Sequence, residues 1–250
     1  MNQDSKFQRE KFLNHISLDC VVFGFHDNQL KVLLLRMKFT KEWALPGGFV
    51  KEDESFETAA TRVLKERTGL DNIFLKQFKV FSDPQRSTKN PAVQDLIDSG
   101  ENPDQEWFNQ RFISVGYYAL VDFSKAEPQP DYFSDLCAWK SLNEINTLIL
   151  DHLQILNKTL ENLRIQLNYQ PIGYNLLPDK FTMPELQKLY ETILGKELDR
   201  RNFQRKMLSY NILTRLEERK TGGAHKAPFL YEFNLENYQK ALQNGLYGGW

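Results

Sequence analysis

The chain has 250 residues, 41% of them hydrophobic and 26% charged, with a formal net charge of −1 at pH 7, which is ordinary for a soluble globular protein of one or two domains. Its polar N-terminal stretch excludes a signal peptide, no apolar run approaches the roughly 18 residues of a membrane helix, and its two distant cysteines exclude a disulfide framework or a paired-cysteine zinc site. We therefore expect a cytoplasmic protein with no membrane partner.

Runs of apolar residues predict a β-hairpin near the start of the chain. In residues 16–25 and 30–36, apolar side chains occur at both odd and even positions. This pattern indicates two strands that are buried on both faces and joined by a short turn. A glycine-containing loop follows and closes into a helix at about Ser55, which ends at Gly69 because glycine readily adopts the left-handed conformation of a C-cap. The helix has an apolar stripe of Phe56, Ala59, Ala60, Val63 and Leu64.

Two further predicted strands, residues 73–81 and 112–121, flank a polar segment over 83–110. The length of this segment is typical of a functional loop rather than of a simple connection. From Ile145 to about Leu167 the pattern predicts a long helix with apolar residues spaced alternately by four and by three. Two interpretations fit that helix, packing on its own domain or the seam of a dimer. The repeated positions are Ile149, Leu153, Leu156, Leu160, Leu163 and Leu167.

The second half of the chain begins after a break in this periodicity. Residues 168–180 contain two prolines and a glycine, so we predict a linker between a first domain over 1–167 and a second over 181–250. A capping box at residues 182–185 starts a helix that Gly195 ends.

A second, basic helix follows over residues 200–210, capped by Asp199, and strand-like segments over 212–218 and 229–233 surround a basic turn with glycines. A capped helix, a short turn, a basic helix and a basic hairpin occur in this order in a small winged helix-turn-helix domain. We expect three side chains of the basic helix to face the core, namely Phe203, Met207 and Leu208.

The charge of residues 200–226 indicates a polyanion partner. They carry eight lysines or arginines against two glutamates, whereas the rest of the chain has a net charge of −7. The exposed Arg, Asn and Gln side chains of the basic helix suit the base edges and phosphates of double-stranded DNA. An RNA-binding accessory protein fits less well, because no exposed aromatic platform is evident. The candidate DNA contacts are Arg200, Arg201, Asn202, Gln204, Arg205, Lys206, Arg219 and Lys220.

Residues 47–70 form a loop and helix that carry the most specific motif of the chain. They fit the pattern G-x5-E-x7-R-E-U-x-E-E-x-G-U, where U is a bulky aliphatic residue, with complete spacing. The stretch resembles the box of the Nudix family, and this resemblance covers about residues 14–167. It implies an α/β fold, a Nudix-type α/β/α sandwich with a mixed sheet. The matching positions are Gly48, Glu54, Arg62, Leu64, Glu66, Gly69 and Leu70.

Val63 and Arg67 replace two carboxylates of this pattern. Because positions 62, 63, 66 and 67 share one helical face, acids there can hold a divalent cation that neutralises a diphosphate and activates water. Of the three acids to which the family gives this role, only Glu66 remains, beside a guanidinium that repels a cation. We therefore expect no metal, no cofactor and no catalytic residue. By the same resemblance, the structural members of the box are Gly48, Glu54 and Gly69.

Structural interpretations of several side chains stand beside the functional ones. Val63 completes the apolar stripe of the helix, and Glu54 holds the box arginine in an ion pair. Arg67 either pairs with Glu66 or a loop acid, or it meets an anion of a ligand. His152 has a capping or core role rather than a catalytic one.

The incomplete box and the basic second half together resemble the Nudix-related transcriptional regulators, a family that includes ADP-ribose-sensing repressors of NAD metabolism and arabinose-responsive regulators. This resemblance spans nearly the whole chain. It implies a homodimeric repressor that binds operator DNA and releases it when a sugar or ADP-ribose-like effector occupies the Nudix pocket, under the loop over 83–110. The alternative is an active, Mg²⁺-dependent Nudix hydrolase of ADP-ribose-like diphosphates. The candidate effector contacts are Arg62, Glu66, Arg67, Arg86 and Arg111.

Overall fold

The structure is a computed structural model and describes residues 11–71, 73–86, 93, 97, 100, 104–220 and 227–246. The chain divides into two compact units. The first comprises Met1–Val22, Val32–Ala119 and Ala126–Asn157. The second comprises Phe23–Lys31, Leu120–Lys125 and Lys158–Trp250. None of the described helices has both the length and the apolar composition that crossing a bilayer requires.

The first part of the chain builds a mixed sheet and its helices. The elements are, in chain order, β1 (Phe12–His26), β2 (Gln29–Met37), β3 (Trp43–Ala44), β4 (Gly47–Lys51), α1 (Phe56–Thr68), β5 (Phe74–Phe81), α2 (Gln105–Phe108), β6 (Ile113–Leu120), β7 (Ser134–Ser141), a 3-10 helix (Leu142–Glu144) and α3 (His152–Gln166). The strand order is β3-β2-β1-β6-β5, and β4 pairs with β1 while β7 pairs with β2. The predicted first hairpin is confirmed, with Asp27 and Asn28 at φ of 49° and 58° in its turn, as a type I′ turn requires.

Helix α1 begins and ends where the sequence predicts. Ser55 accepts a hydrogen bond from Thr58 N at its start, and Gly69 at its end has φ of 71°. Its apolar stripe faces inward, since Ala59 and Ala60 are fully buried and Val63 is 2% exposed. The structural interpretation of Val63 is therefore confirmed.

The prediction for the leucine-rich helix is partly wrong, because α3 begins at His152 rather than at Ile145. Before this helix, Ser141 and Glu144 form a capping box around a single 3-10 turn, Leu142–Glu144. Leu150 then adopts φ of 49°, which no α-helix accommodates. The repeated side chains are mostly buried within the chain, as expected for a helix packed on its own chain. The buried ones are Ile149, Leu156, Leu160, Leu163 and Leu167.

The polar segment over 83–110 is not a loop throughout. Asp104 accepts a hydrogen bond from Trp107 N and starts the short helix α2, whose Trp107 is only 2% exposed. The sequence composition concealed this helix because it is only four residues long and lies in an otherwise polar segment. Most of the remaining segment lies outside the described residues.

The second part of the chain forms helices around a small sheet. The elements are β8 (Phe181–Thr182), α4 (Met183–Leu194), α5 (Arg200–Ser209), β9 (Leu213–Arg219), β10 (Phe229–Phe233) and α6 (Leu235–Asn244). The strand order is β8-β10-β9. The predicted capping box of Thr182 and Glu185 is present, and Gly195 ends α4 with φ of 69°. Helix α6 was not among the sequence predictions.

Helix α5 corrects one predicted core residue. Phe203 and Met207 are buried, as expected, whereas Leu208 is 44% exposed. Successive helical residues are rotated by about 100°, so the residue after a buried Met207 turns away from the face that Phe203 and Met207 share. The described part of the second unit thus has the helices and paired strands of the predicted winged helix-turn-helix, with the wing residues 221–226, including Lys226, outside the described residues.

Candidate functional site

The box loop is fastened to helix α1 by one ion pair. Arg62 Nε lies 2.6 Å from Glu54 Oε1, and Arg62 Nη2 donates to Glu54 Oε2 at 2.8 Å and to Phe49 O at 2.9 Å. Glu54 Oε2 also accepts from Lys51 N. The hydrogen bonds from Arg62 lower the pKa of Glu54 against the opposing effect of burial. The structure thus contains the ion pair between loop and helix that the sequence predicts.

Glu66 lies between two guanidinium groups. Its Oε2 accepts from Arg67 Nη2 at 3.1 Å, and its Oε1 is 3.6 Å from Arg62 Nη1. Arg67 Nη1 also donates to Gln129 O at 3.2 Å, and its side chain is 10% exposed whereas that of Glu66 is 46% exposed. The sequence left the pairing of Arg67 with Glu66 open, and the structure contains it.

This helical face is unsuited to a divalent cation. Two arginines and the carboxylates of Glu54 and Glu66 bring its net charge to zero, and Val63 fills the position of a further acid. A Cβ atom at Gly48 would lie only 2.8 Å from Val63 Cγ2, so the loop passes directly over the valine. Among the described residues, no cluster of three or more His, Cys, Asp or Glu side chains is placed to hold a metal.

Arg86 has a different environment from the one expected of an effector contact. Its side chain is 4% exposed and forms ion pairs with Asp151 at 2.9 Å and with Asp19 at 3.0 Å. Burial opposes the charge of Arg86, but the two carboxylates outweigh it and raise the pKa of the guanidinium. Arg111, by contrast, donates to Ser82 O at 2.6 Å from an exposed position. Effector binding by either arginine stays a prediction.

His152 lies beside these ion pairs and is buried, which is consistent with the capping or core role predicted for it. Its Nδ1 accepts from Leu45 N at 3.0 Å, and its Nε2 lies 3.4 Å from Asp19 Oδ1. Sequence reasoning missed Asp19 and Asp151. A lone acid inside the apolar strand "ISLDCVVFGF" is the signal that could have identified Asp19, because a buried carboxylate needs a partner.

The predicted DNA-reading helix presents its polar side chains outward. Asp199 accepts from Asn202 N at the start of α5, and Arg205 Nη2 donates to Asn202 Oδ1 at 2.9 Å. Burial, followed by the charge of Lys196, lowers the pKa of Lys206. Within this helix, the exposed members of the predicted set are Arg200, Arg201, Asn202 and Arg205. The half-buried ones are Gln204 and Lys206.

The two predicted DNA contacts of the wing have different partners. Lys220 Nζ is 2.5 Å from Glu185 Oε1, in the capping box of α4. Arg219 instead lies over the ring of Phe229, with its guanidinium carbon 3.7 Å from the ring centroid. Sequence spacing could not show either partner. The DNA-binding roles of Arg219 and Lys220 stay predictions.

Family models match both halves of the chain. The NUDIX domain model matches residues 13–163, and the NrtR DNA-binding winged helix domain model matches residues 173–233. The first covers the box, and the second covers the capped helix, the basic helix and the wing strands.

Individual relatives have the same arrangement. The ADPR responsive transcriptional repressor NtrR of Acinetobacter baylyi is 30% identical over 230 residues, which are 89% of this chain and 83% of that protein. The crystal structure of Shewanella oneidensis NrtR complexed with a 27mer DNA superposes with a TM-score of 0.74 at 26% identity, covering 95% of this chain and 100% of that one.

A shorter match concerns the Nudix half alone. An ADP-ribose pyrophosphatase of Methanocaldococcus jannaschii is 32% identical over 87 residues, which are 34% of this chain and 52% of that protein. The two domain models in this order, with full-length similarity to a relative and to a solved structure, identify the architecture. The chain belongs to the NrtR family of regulators, in which a Nudix domain precedes a DNA-binding winged helix domain.

Proposed function

We propose that this protein is a transcriptional repressor that binds double-stranded operator DNA through its winged helix and releases it when ADP-ribose occupies the Nudix domain. The effector and the repressor role follow the full-length relative, which is named as an ADPR responsive transcriptional repressor. DNA binding follows the relative whose structure was solved on a 27mer DNA. A free sugar such as arabinose has no support among these relatives and is not proposed.

The observation that carries the effector site is the guanidinium group of Arg67 at a carboxylate position of the box, beside the box arginine Arg62 on α1. Arg62 and Arg67 flank the exposed carboxylate of Glu66, so a diphosphate can take its place as their anionic partner. Arginine suits this exchange, because its fork of N–H donors matches phosphate oxygens. A diphosphate held without a metal would be bound but not cleaved, since no ion activates water beside it.

DNA release requires that the two ligands be coupled. If ADP-ribose lowers the affinity for DNA by some factor, DNA must lower the affinity for ADP-ribose by the same factor. We further propose that the protein acts as a homodimer, because two copies present two recognition helices to the half-sites of a palindromic operator. Light scattering of the free protein and of its complex with duplex DNA measures this directly.

The decisive experiment is a titration of fluorescent duplex with the full-length protein, using a duplex selected by the protein from random sequences. We expect the dissociation constant to rise when ADP-ribose is added and to stay constant with arabinose. An equimolar mixture of AMP and ribose 5-phosphate is the matched control, since it supplies the same groups without the linking diphosphate. Tight duplex binding that ADP-ribose leaves unchanged would contradict the proposed effector, and an absence of duplex binding would contradict the repressor function.

A further inference from the structure

The ring of Phe229, at the start of β10, carries two arginine side chains. The guanidinium carbon of Arg219 lies 3.7 Å from the ring centroid, and that of Arg215 lies 4.5 Å from it. Arg219 is opposite Phe229 in the register of β9 and β10, and its Nη1 donates to Ala227 O at 2.8 Å. Cation–π attraction holds both groups in place without using their N–H donors.

The neighbouring lysine of the wing has a carboxylate partner, whereas none of the described residues gives the two arginines one. Lys220 Nζ lies 2.5 Å from Glu185 Oε1. Among the described residues, neither Arg215 nor Arg219 has a carboxylate oxygen within the 4.0 Å that defines an ion pair. Two positive charges are therefore concentrated on one aromatic ring with no described counter-charge of their own.

Glu185 keeps Lys220 neutralised at neutral pH. Burial opposes the ionisation of this carboxyl group, but hydrogen bonds from Lys220 and Thr182 outweigh it and lower the pKa of Glu185. A DNA phosphate would have to displace a carboxylate that already fills the same role. Because Thr182 N and Oγ1 also donate to that carboxylate, it stays beside Lys220, and the arginine pair is the more available anion site of the wing.

We propose that Arg215 and Arg219, positioned by Phe229, each bind a phosphate of the DNA backbone, an inference that rests on the duplex binding proposed above. A phosphate fits because each guanidinium presents a fork of donors to its oxygens, and Ala227 O accepts from only one nitrogen of Arg219. Arg215 is then an additional DNA contact and Phe229 a positioning residue. The site orients the wing on the duplex and reads no base.

The test is duplex binding by the full-length protein at a series of salt concentrations. Removing one phosphate contact reduces the slope of log affinity against log salt by about 1. We expect this reduction for Arg215→Ala and for Arg219→Ala, with operator and random duplexes weakened alike. Lys240→Ala on α6 is the matched control, since it removes an exposed cation that is paired with Glu236, and we expect its slope to stay near that of the wild type.

A test of the positioning role of Phe229 requires variants that keep both arginines. Phe229→Leu removes the ring, so we expect its slope to fall towards those of the arginine variants. Phe229→Tyr keeps an aromatic face, and we expect it to retain the wild-type slope. Circular dichroism melting shows which variants are folded. If Phe229→Leu does not fold, the arginine variants and Phe229→Tyr still decide the question.

Two outcomes would overturn the inference while leaving the proposed function intact. One is an unchanged salt slope in both arginine variants although the wild type binds duplex DNA. The other is a larger reduction for Lys240→Ala than for either arginine variant. A wild-type protein that binds no duplex at all would instead refute the proposed function, and this inference with it.

Discussion

Arg86 and Asp151 form a bidentate ion pair, in which Nε lies 2.9 Å from Oδ2 and Nη2 lies 3.0 Å from Oδ1. Asp19 joins from strand β1, with its Oδ2 3.0 Å from the same Nη2. The pair joins the segment after β5 to the residue that immediately precedes α3. Because the three side chains are almost fully buried, the guanidinium is the main counter-charge of two carboxylates.

Removing Arg86 therefore destabilises the protein strongly. Arg86→Ala leaves two buried carboxylates without their main partner, and loss of one partner from a buried pair costs about 3–5 kcal/mol. Urea unfolding measures this as a decrease in the free energy of unfolding. Arg111→Ala is the control, since an exposed arginine contributes within about 0.5 kcal/mol. Equal effects of the two variants would contradict the importance of the cluster.

Hydrolysis of ADP-ribose is expected to stay at background. The α1 face offers one exposed carboxylate, Glu66, and that carboxylate is already paired with Arg67. The measurement is release of AMP from ADP-ribose with Mg²⁺ or Mn²⁺ present, by chromatography. Robust turnover that disappears in Glu66→Gln would support the hydrolase instead.

Arg67→Ala is expected to lower the affinity for ADP-ribose without lowering the affinity for DNA. A hydrogen bond to a charged group contributes about 1.5–3 kcal/mol, so the affinity for ADP-ribose should fall roughly 10- to 100-fold. The affinity for duplex DNA without effector should remain near that of the wild type. Lys65→Ala, which removes an exposed cation from the same helix, is the control for isothermal titration. Loss of both affinities together would indicate damage to the fold rather than to the site.

Arg201→Ala is expected to reduce sequence preference. If the first residues of α5 read base edges, this change costs roughly 1–3 kcal/mol on the operator and little on random DNA. Competition between the two duplexes measures the difference. Lys240→Ala, on α6, is the charge-matched control, because its ammonium is paired with Glu236. Phe203→Ala should abolish all binding, since Phe203 is 1% exposed and its loss opens the core.

The box ion pair predicts an acid-side dependence of stability. The folded-state pKa of Glu54 lies below the value of roughly 4.3 expected when unfolded, so its contribution is present above that value and is lost as pH falls through the folded pKa. Glu54→Gln should therefore be less stable than the wild type at pH 7, and the difference should shrink towards pH 3. Denaturant unfolding at both values tests this, with Glu52→Gln, an exposed acid, as control. A constant difference across the range would contradict the linkage.

Local spacing was enough to predict the box helix, since Ser55 and Gly69 act on their own neighbours. It was not enough for Asp19 and Asp151, which reach Arg86 from 67 and 65 positions away. The spacing of apolar residues also did not predict the positive φ of Leu150, because that conformation depends on surroundings that are distant in the sequence.

The same limit applies to the DNA-binding half. The sequence identified the basic helix and wing strands, and periodicity placed Phe203 correctly. Leu208 is apolar by type but lies one residue past the buried face. In the sequence, Arg219 and Lys220 are two adjacent basic residues with no visible difference in role. Only the structure shows that Lys220 pairs with a carboxylate and that Arg219 lies over an aromatic ring.

The packing of Val63 beneath Gly48 limits which substitutions could give this face a metal site. Metal binding here would need acids at positions 63 and 67, but Glu at 63 alone would place a carboxylate at a site that is 2% exposed. Such a charge is costly unless a cation arrives to compensate it, and Arg67 keeps cations away. Either substitution alone therefore leaves this face without a metal site, and the two acids would have to be introduced together.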